Sequence, residues 1–316
     1  MDFEKFKKIY LKEDPIYYPN KVPTEPIVSI IVLAYQHVNF IKECLDGILT
    51  QQTDFEYEVI LGEDDSIDGT RDLCIEYAEK YPDKIRLFLH HSINKIKVQE
   101  TITGNFNIIY NFFQTKGKYI AICDGDDVWH DKSKLQKQFD FLEDNTDYSI
   151  CYHNFEMINE NGDFIESDKA SPLRFDLSQE QLKCPWIHPS TLTIFFRNNL
   201  KLPKEITKVL NLDIFIYSLL GEIGKGKFIS DINYSKYRIH SGGIWSQVNK
   251  EKSIVFKIHA YKQLSKYYFR KGDKNAFKKF NKQSRKLKNS LLLYYFKKRK
   301  FKKMFKSFFY INKFSR

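Results

Sequence analysis

The chain has 316 residues, of which 42% are hydrophobic and 16% aromatic, and its formal net charge is +11. This composition excludes an intrinsically disordered protein, and the length allows one large core or two modest ones. The charge is uneven: 22 of the 51 Lys and Arg residues but only 2 of the 40 acids lie from Glu251 onward, a net of +20 that leaves −9 for residues 1–250. We therefore expect an acidic body, which suits a metal site, followed by a basic region that suits a polyanionic surface.

Cysteine usage and the N-terminus bear on the cellular compartment. The five cysteines stand singly, without a CxxC motif, inside apolar segments, which predicts buried free thiols and a reducing cytosol; they are Cys44, Cys74, Cys123, Cys151 and Cys184. The N-terminus lacks an apolar h-region, and no stretch approaches about 18 uncharged apolar residues. We expect neither a signal peptide nor a membrane-spanning helix.

In chain order, residues 1–26 contain four prolines and are predicted to form a leader without regular elements. Strands that alternate with helices follow, and this pattern predicts an α/β fold whose mainly parallel sheet is flanked by helices. The predicted strands are Ile27–Ala34, Glu58–Gly62, Ile85–His90, Tyr119–Cys123, Ser149–Phe155 and Leu192–Phe196; the predicted helices are Phe40–Leu49, Arg71–Tyr81, Thr103–Gln114, Lys134–Leu142 and Ile214–Leu220. Asn161-Gly162-Asp163 has turn chemistry that predicts a hairpin from Cys151 to Ile165.

Three carboxylates follow the apolar strand Tyr119–Cys123 within four residues, at Asp124, Asp126 and Asp127. In open α/β sheets, ligands bind at this carboxyl edge. Like charges packed so closely repel each other, and a divalent cation with bound phosphate oxygens is the usual way to offset that repulsion. The sequence therefore predicts a metal site at the end of this strand.

A solvated acidic turn and a calcium-binding loop are the alternatives for this triplet. In the solvated turn Gly125 supplies a positive φ, and the triplet alone leaves that alternative open. A calcium-binding EF-hand loop is excluded, because Trp129 and Leu135 stand where that loop requires its Gly and its bidentate Glu.

A second acidic loop, Glu63–Asp68, follows the strand Glu58–Gly62. No GxGxxG follows the first strand and no GxxxxGK[ST] occurs, so the sequence does not favour dinucleotide or P-loop chemistry. Carboxylates instead accept hydrogen bonds from ribose hydroxyls and base N–H groups, and they hold Mg²⁺ or Mn²⁺ against a diphosphate. The two acidic loops together predict a nucleoside diphosphate site.

Three segments in order, VSIIVLAYQHVNFIKECLDGILTQQ, VILGEDDSIDGT and GKYIAICDGDDVWHDKSKLQKQFDFLEDN, resemble the catalytic domain of family 2 glycosyltransferases with the GT-A fold. The resemblance covers Pro26 to Ser246, which implies a leader at 1–26, a catalytic domain at 27–246 and a basic helical region at 247–316. It implies an inverting transferase that uses a nucleotide sugar, commonly a UDP-sugar, with Mn²⁺ or Mg²⁺. The acceptor is then a glycan or a lipid-linked glycan in surface polysaccharide synthesis.

The resemblance also implies a donor site. Ala34 and Tyr35 match the first nucleotide-binding loop, and Asp64 matches the acid that receives the base. Asp124 matches the first acid of the DxD pair, near the ribose, and Gly125 lies between the two acids of that pair.

The metal is expected on Asp126, the second acid of the pair, and on His240 in YRIHSGG, which matches the family's third metal ligand. Neutral imidazole is a good ligand for Mn²⁺, and Arg238 in the same motif is expected to offset diphosphate charge. The chain departs from the family at Gln36-His37, where an Asn and a polar residue are common, so the contact of that loop stays undetermined.

Three residues on the acceptor side have both functional and structural interpretations. Trp186 and His188 match the stretch that lines the acceptor side of the cleft. Taken alone, Trp186 is more often a core or lid aromatic and His188 more often a hydrogen-bonding strand-end histidine. Asp213 matches the family's catalytic acid residue, and inverting transfer needs a carboxylate to take the proton of the acceptor hydroxyl. A helix cap is its structural alternative.

The basic region predicts two helices, Val255–Phe269 and Phe277–Tyr295, and a tail in which cations alternate with Phe301, Met304, Phe305, Phe308 and Phe309. This pattern is typical of an interfacial helix on anionic lipid, which predicts a cytoplasmic protein held peripherally on the inner face of the cell membrane. Nucleic-acid binding is the competing use, and a solvated helical pair is the structural alternative. A nonenzymatic nucleotide- or sugar-binding protein attached to polyanions is the alternative to an enzyme.

Overall fold

The computed structural model describes residues 1–98, 101–167, 170–243 and 248–302. Its strands are β1 Ile16–Tyr17, β2 Val28–Ala34, β3 Tyr57–Glu63, β4 Ile85–Leu89, β5 Ile96–Val98, β6 Thr101–Thr103, β7 Tyr119–Asp124, β8 Tyr148–Tyr152, β9 Phe155–Ile158, β10 Phe195–Arg197, β11 Lys225–Phe228 and β12 Ser235–Arg238. Its helices are α1 Phe3–Tyr10, α2 Ile41–Leu49, α3 Thr70–Lys80, α4 Asn105–Gln114, α5 Lys134–Asp144, α6 Gln179–Lys183, α7 Leu212–Leu220, α8 Lys250–Lys271 and α9 Lys274–Lys297.

Eight strands form one sheet in the order β1-β4-β3-β2-β7-β10-β8-β11. The pairs from β4 through β7 are parallel, as is the pair of β8 and β11, whereas β1 and β10 run antiparallel to their neighbours. The predicted α/β fold with a mainly parallel sheet is confirmed.

The core lies around the central strands β2, β3 and β7. These strands carry apolar residues on both faces and are almost wholly buried, as expected for strands covered on both sides. Helix α2 turns one apolar stripe, Ile41, Cys44, Leu45 and Ile48, into this core. All five cysteines are buried free thiols, as predicted.

The first 26 residues differ from the prediction, because they contain regular elements. Phe6 of α1 is fully buried and packs against Phe106 and Phe113, so an apolar face stabilises the helix before the first proline. The short strand β1 lies between prolines and pairs with the edge strand β4. The absence of regular elements predicted for this segment is therefore wrong.

The predicted hairpin from Cys151 to Ile165 is wrong in its extent. The turn forms, with Gly162 at φ +89°, and a single antiparallel bridge joins Ile158 to Phe164. Cys151, however, belongs to β8, which pairs with β10 and β11. The predicted strand from Leu192 is also shorter, because residues Thr191–Thr193 form a 3-10 turn before β10.

The chain divides into two compact units, Met1–Lys201 with Tyr217–Gly242, and Leu202–Ile216 with Gly243–Arg316. The first unit contains the sheet. In the second, α8 and α9 form an antiparallel pair joined at Gly272, and Arg270 binds the buried Glu205 at 3.0 and 2.8 Å. The predicted boundary between residues 246 and 247 lies outside the described residues.

No helix in the described ranges is long and apolar enough to cross a membrane.

Candidate functional site

The loops that follow β2, β3 and β7 meet at one edge of the sheet. Leu33 pairs with Asp124 across β2 and β7, and Ala34 pairs with Glu63 across β2 and β3. The N–H of Asp64 donates to the carbonyl of Ala34 at 3.0 Å. The two acidic loops and the first loop therefore emerge side by side, as expected for adjacent parallel strands.

The first loop, which follows β2, turns sharply at Gln36. Gln36 has φ +57°, a conformation that costs free energy in any residue but glycine, and hydrogen bonds to the second loop hold it. The N–H of Gln36 donates to Ser66 Oγ at 2.9 Å, and the N–H of His37 donates to Thr70 Oγ1 at 2.7 Å. This turn directs the His37 ring to the end of β7.

Three side chains that could hold a metal converge there: His37, Asp126 and His240. Nε2 of His240 lies 3.0 Å from Oδ2 of Asp126, and Nε2 of His37 lies 3.8 Å from the same oxygen. Their ligand atoms all lie within 4.8 Å of one another. The structure thus brings the predicted pair, Asp126 and His240, together and adds His37.

His240 follows strand β12, and β12 lies along the segment Asp124–Asp127 and the residue after it; we call Asp124–Asp127 the DGDD loop. Strand β12 pairs with β9, and Lys236 forms an antiparallel bridge with Val128 through bonds of 3.0 and 2.8 Å. The N–H of Arg238 then donates to Oδ1 of Asp127 at 2.9 Å. These bonds fix the chain two residues before His240.

Arg238, which is expected to offset diphosphate charge, also makes several contacts within the protein. Its side chain is only 2% exposed and forms an ion pair with Glu43 of α2. Its Nε donates to the carbonyl of Asp126 at 2.9 Å, and its Nη1 donates to the carbonyl of Asn159 at 3.2 Å. The guanidinium also lies over the ring of Phe40, so the contacts of Arg238 connect the DGDD loop to the start of α2.

The pKa values of the neighbouring carboxyl groups of Asp126 and Asp127 are shifted in opposite directions. Burial alone would raise the pKa of Asp126, but the hydrogen bond with His240 and the nearby His37 hold that pKa below its usual value. Burial and the charge of Asp126 raise the pKa of Asp127 well above its usual value. Burial also lowers the pKa of His37, which favours the neutral imidazole that binds metals.

The possible ligand atoms of His37, Asp126 and His240 fit a divalent transition metal ion. They are two imidazole nitrogens and one carboxylate oxygen, a combination that suits Mn²⁺ and its neighbours in the first transition row. Beside these ligands, the Nδ1 atom of His37 and the Oδ2 atom of Asp127 are buried without a hydrogen-bond partner among the described residues.

Gly125 is needed for space rather than for a positive φ. It is not among the glycines with φ above zero, so the solvated turn built on such a φ is wrong. A Cβ at Gly125 would lie 2.8 Å from Nδ1 of His37 and 2.9 Å from the carbonyl of Leu33. Only glycine lets the His37 ring approach the DGDD backbone.

The predicted base-binding residues form a second group around Lys95. Its Nζ lies 3.6 Å from Oδ2 of Asp64 and 3.7 Å from the ring centroid of Tyr35, which is 45% exposed. Within the described part of the chain, Oδ1 of Asp64 is buried without a hydrogen-bond partner. Burial raises the pKa of Asp64 to about 7, although the Lys95 ammonium opposes that rise.

The acceptor-side candidates lie in the segment after α6. Trp186 is 37% exposed, and the His188 ring stacks on Tyr217 with centroids 5.1 Å apart. Asp213 belongs to the first turn of α7 and to the second unit, whereas the metal cluster belongs to the first. Because α7 begins at Leu212, Asp213 stands past the capping position, where its charge still interacts favourably with the helix dipole.

Sequence analysis assigned neither His37 nor Lys95 to the site. His37 was named only within the pair Gln36-His37, to which no contact was assigned. The signal that could have found His37 is topological: it follows β2, and β2 is the parallel neighbour of the strand that carries the DGDD loop.

Comparisons with known proteins agree with this architecture. Residues 29–202, more than half of the chain, match the family described as Glycosyl transferase family 2. The chain is also similar to S. aureus TarS 1–349, solved in complex with UDP-GlcNAc, with a TM-score of 0.52 and 17% identity over 75% of this chain and 66% of that one. This structural similarity supports the GT-A fold.

Two relatives illustrate the range of similar sequences. The uncharacterized protein Rv1520 of Mycobacterium tuberculosis is 29% identical over 220 residues, which are 69% of this chain and 60% of that protein. TuaG of Bacillus subtilis, whose name refers to teichuronic acid biosynthesis, is 30% identical over 118 residues, 37% of this chain and 42% of that protein. The chain therefore spans about 60% of the length of the first relative.

Proposed function

The chain belongs to glycosyl transferase family 2, and from that premise we propose that it transfers a sugar, with inversion, from a UDP-sugar to a glycan or lipid-linked acceptor. The observation that carries this proposal is the convergence of Asp126 and His240 at the sheet edge where nucleotides bind. The similarity to TarS in complex with UDP-GlcNAc supports a UDP-sugar, and the name of TuaG supports a role in surface polysaccharide synthesis.

Each site residue has a distinct role in this reaction. Tyr35 and Asp64 receive the base, and Asp124 lies toward the ribose. Asp126 and His240 hold Mn²⁺ or Mg²⁺, which when bound would offset the charge of the leaving diphosphate. Asp213 takes the proton of the acceptor hydroxyl as that oxygen attacks the anomeric carbon from the side opposite the diphosphate. On the acceptor side, Trp186 offers an exposed aromatic ring and His188 a hydrogen-bonding group.

A panel of nucleotide sugars tests the proposal. We expect one UDP-sugar to raise the melting temperature more than the others, and to be hydrolysed slowly only when a divalent cation is present. Stabilisation by no nucleotide sugar, with or without cations, would contradict the donor proposal. Stabilisation without turnover, even with acceptor glycans supplied, would favour the nonenzymatic binding protein.

The affinity for the base is expected to depend on pH through Asp64. Burial raises the pKa of this carboxyl to about 7, and the ionised form is the stronger acceptor for the N3–H of uracil. Affinity for uridine should therefore rise roughly tenfold from pH 6 to pH 8, because the ionised fraction rises by that factor. Uridine carries no phosphate, so calorimetric titration with it isolates this group from the metal cluster.

The matched control for the base site is Asp64→Asn, which has no titrating carboxyl at this position. We expect its uridine affinity to be weak at every pH. If wild-type affinity is the same at pH 6 and pH 8, Asp64 does not receive the base as an ionised carboxylate.

We also propose that the C-terminal region binds anionic membrane surface, where lipid-linked acceptors lie. The described end of α9 exposes Leu293, Tyr294, Phe296 and, just beyond the helix, Phe301, at 54, 40, 59 and 47%. The cations Lys297, Lys298, Arg299 and Lys302 around them are exposed as well. Apolar side chains surrounded by cations fit a bilayer with anionic headgroups. Met304, Phe305, Phe308 and Phe309 of the predicted tail lie outside the described residues.

Replacing Phe296 and Phe301 by Ser should weaken sedimentation with anionic vesicles roughly tenfold, because two rings no longer leave water on binding. Phe269→Ser is the matched control, since Phe269 is 69% exposed near the opposite end of the helical pair, roughly 30 Å away along α9. Added salt should release the wild type only in part.

If the double variant binds anionic vesicles as tightly as the wild type, the rings of Phe296 and Phe301 do not insert into the bilayer. If the full-length protein does not bind anionic vesicles at low salt but binds RNA or DNA tightly, the membrane proposal is wrong and nucleic-acid binding takes its place.

A further inference from the structure

His37 is the member of the metal cluster to which the sequence analysis gave no role. Its Nε2 lies 3.8 Å from Oδ2 of Asp126, on the same oxygen that His240 approaches to 3.0 Å. The rings of His37 and His240 meet edge to face with centroids 6.0 Å apart. The two imidazoles therefore flank a single carboxylate oxygen.

The position of His37 is built into the backbone. Gln36 adopts its left-handed conformation one residue earlier, and Thr70 accepts the His37 N–H at 2.7 Å. Gly125 leaves the space that the ring fills, because a Cβ there would come within 2.8 Å of Nδ1. The His37 side chain is only 14% exposed, so the ring is held by packing, with Nε2 facing Asp126.

The chemistry of the ligand atoms decides which cation such a site prefers. Carboxylate, amide and water oxygens suit Mg²⁺, which keeps several waters and binds few protein groups. Imidazole suits transition metals, and affinity rises along the first row from Mn²⁺ to Co²⁺ and beyond. A second imidazole therefore favours transition metals, whereas an amide oxygen at the same place does not.

We propose that His37 is a third protein ligand of the metal and that it makes the site selective for Mn²⁺ and Co²⁺ over Mg²⁺. The inference rests on the proposed function for the identity of the cluster as the metal site. It concerns the choice of cation rather than the transfer reaction. The ligand set is then two imidazole nitrogens, from His37 and His240, and one carboxylate oxygen from Asp126.

The direct test counts imidazole ligands in the wild-type protein with the metal alone. Electron spin echo spectroscopy of Mn²⁺ bound to protein with ¹⁵N-labelled histidine should detect two coordinated ring nitrogens. Detection of only one, from His240, would overturn the proposal and leave His37 as a group that positions Asp126. This measurement needs no variant, so it holds even where a substitution prevents folding.

The second test compares His37→Asn with the wild type by calorimetric titration of Mn²⁺, Co²⁺ and Mg²⁺ without nucleotide. We expect Mn²⁺ and Co²⁺ affinity to fall on the order of tenfold or more and Mg²⁺ affinity to change much less. His91→Asn, a partly buried histidine outside the cluster, is the matched control and should change neither. Equal losses for all three cations would overturn the selectivity.

The two proposals fail in distinguishable ways. A protein that binds Mn²⁺ through two imidazoles but transfers no sugar would contradict the proposed function and leave the role of His37 intact. A transferase that works equally well with Mg²⁺ and Mn²⁺, and whose bound Mn²⁺ shows one imidazole, would support the function and overturn this inference.

Discussion

Asp213→Asn is expected to keep donor binding and to lower turnover by roughly 10² to 10⁴-fold, the range that a general base contributes. The amide has nearly the same shape as the carboxylate but cannot take the acceptor proton. Loss of its charge in the first turn of α7 should cost only about 0.3–1 kcal/mol of stability, because the helix dipole is a weak partner at that distance.

Donor affinity and turnover should be measured on the same folded preparation of the Asp213 variant. Asp72→Asn is the matched control, since Asp72 is an exposed acid in the first turn of α3 and its loss removes the same charge from a helix start. Near-normal turnover per folded molecule in Asp213→Asn would assign Asp213 to the helix alone.

Asp126→Ala is expected to weaken Mn²⁺-dependent UDP binding by roughly 10²-fold or more, because losses of 10 to 100-fold already follow from substitutions one shell further from a metal. Asp126 is the acid that both histidines approach, so no other member of the cluster can replace it. His240→Ala should act in the same direction. The DGDD loop itself should persist, since Arg238 binds the main-chain carbonyl of Asp126 rather than its side chain.

Calorimetric titration of UDP with and without Mn²⁺ measures the metal-dependent part of the affinity. Asp140→Ala, which removes an exposed carboxylate from α5, is the control and should leave that part unchanged. If both Asp126→Ala and His240→Ala retain the wild-type difference between the two titrations, the shared metal and diphosphate site does not exist.

The N-terminal segment shows where a local pattern misleads. Four prolines in 26 residues predicted a chain without regular elements, yet α1 ends before the first proline and β1 fits between the first and the second. Proline acts on its own turn and on the residue before it, so it does not prevent a helix that is complete upstream. Burial of Phe6 against α4 then stabilises a helix too short to persist alone.

The sequence by itself determined the central sheet and the DGDD loop, and the family resemblance named Asp126 and His240, one motif at a time, as candidate metal ligands. Period-two and unbroken apolar runs specify buried strands, and a family motif specifies which residues follow them. Both signals are local in the chain. They need no knowledge of which strand lies beside which.

Only the tertiary structure decided the places of His37, Arg238 and Gly125. The strand order puts β2 beside β7, which brings His37 to Asp126, and the ion pair of Arg238 with Glu43 joins residues 195 positions apart. Gly125 is required by a ring that belongs to another loop. Contacts between distant segments depend on register and on the space left by neighbours, and no periodicity within either segment contains that information.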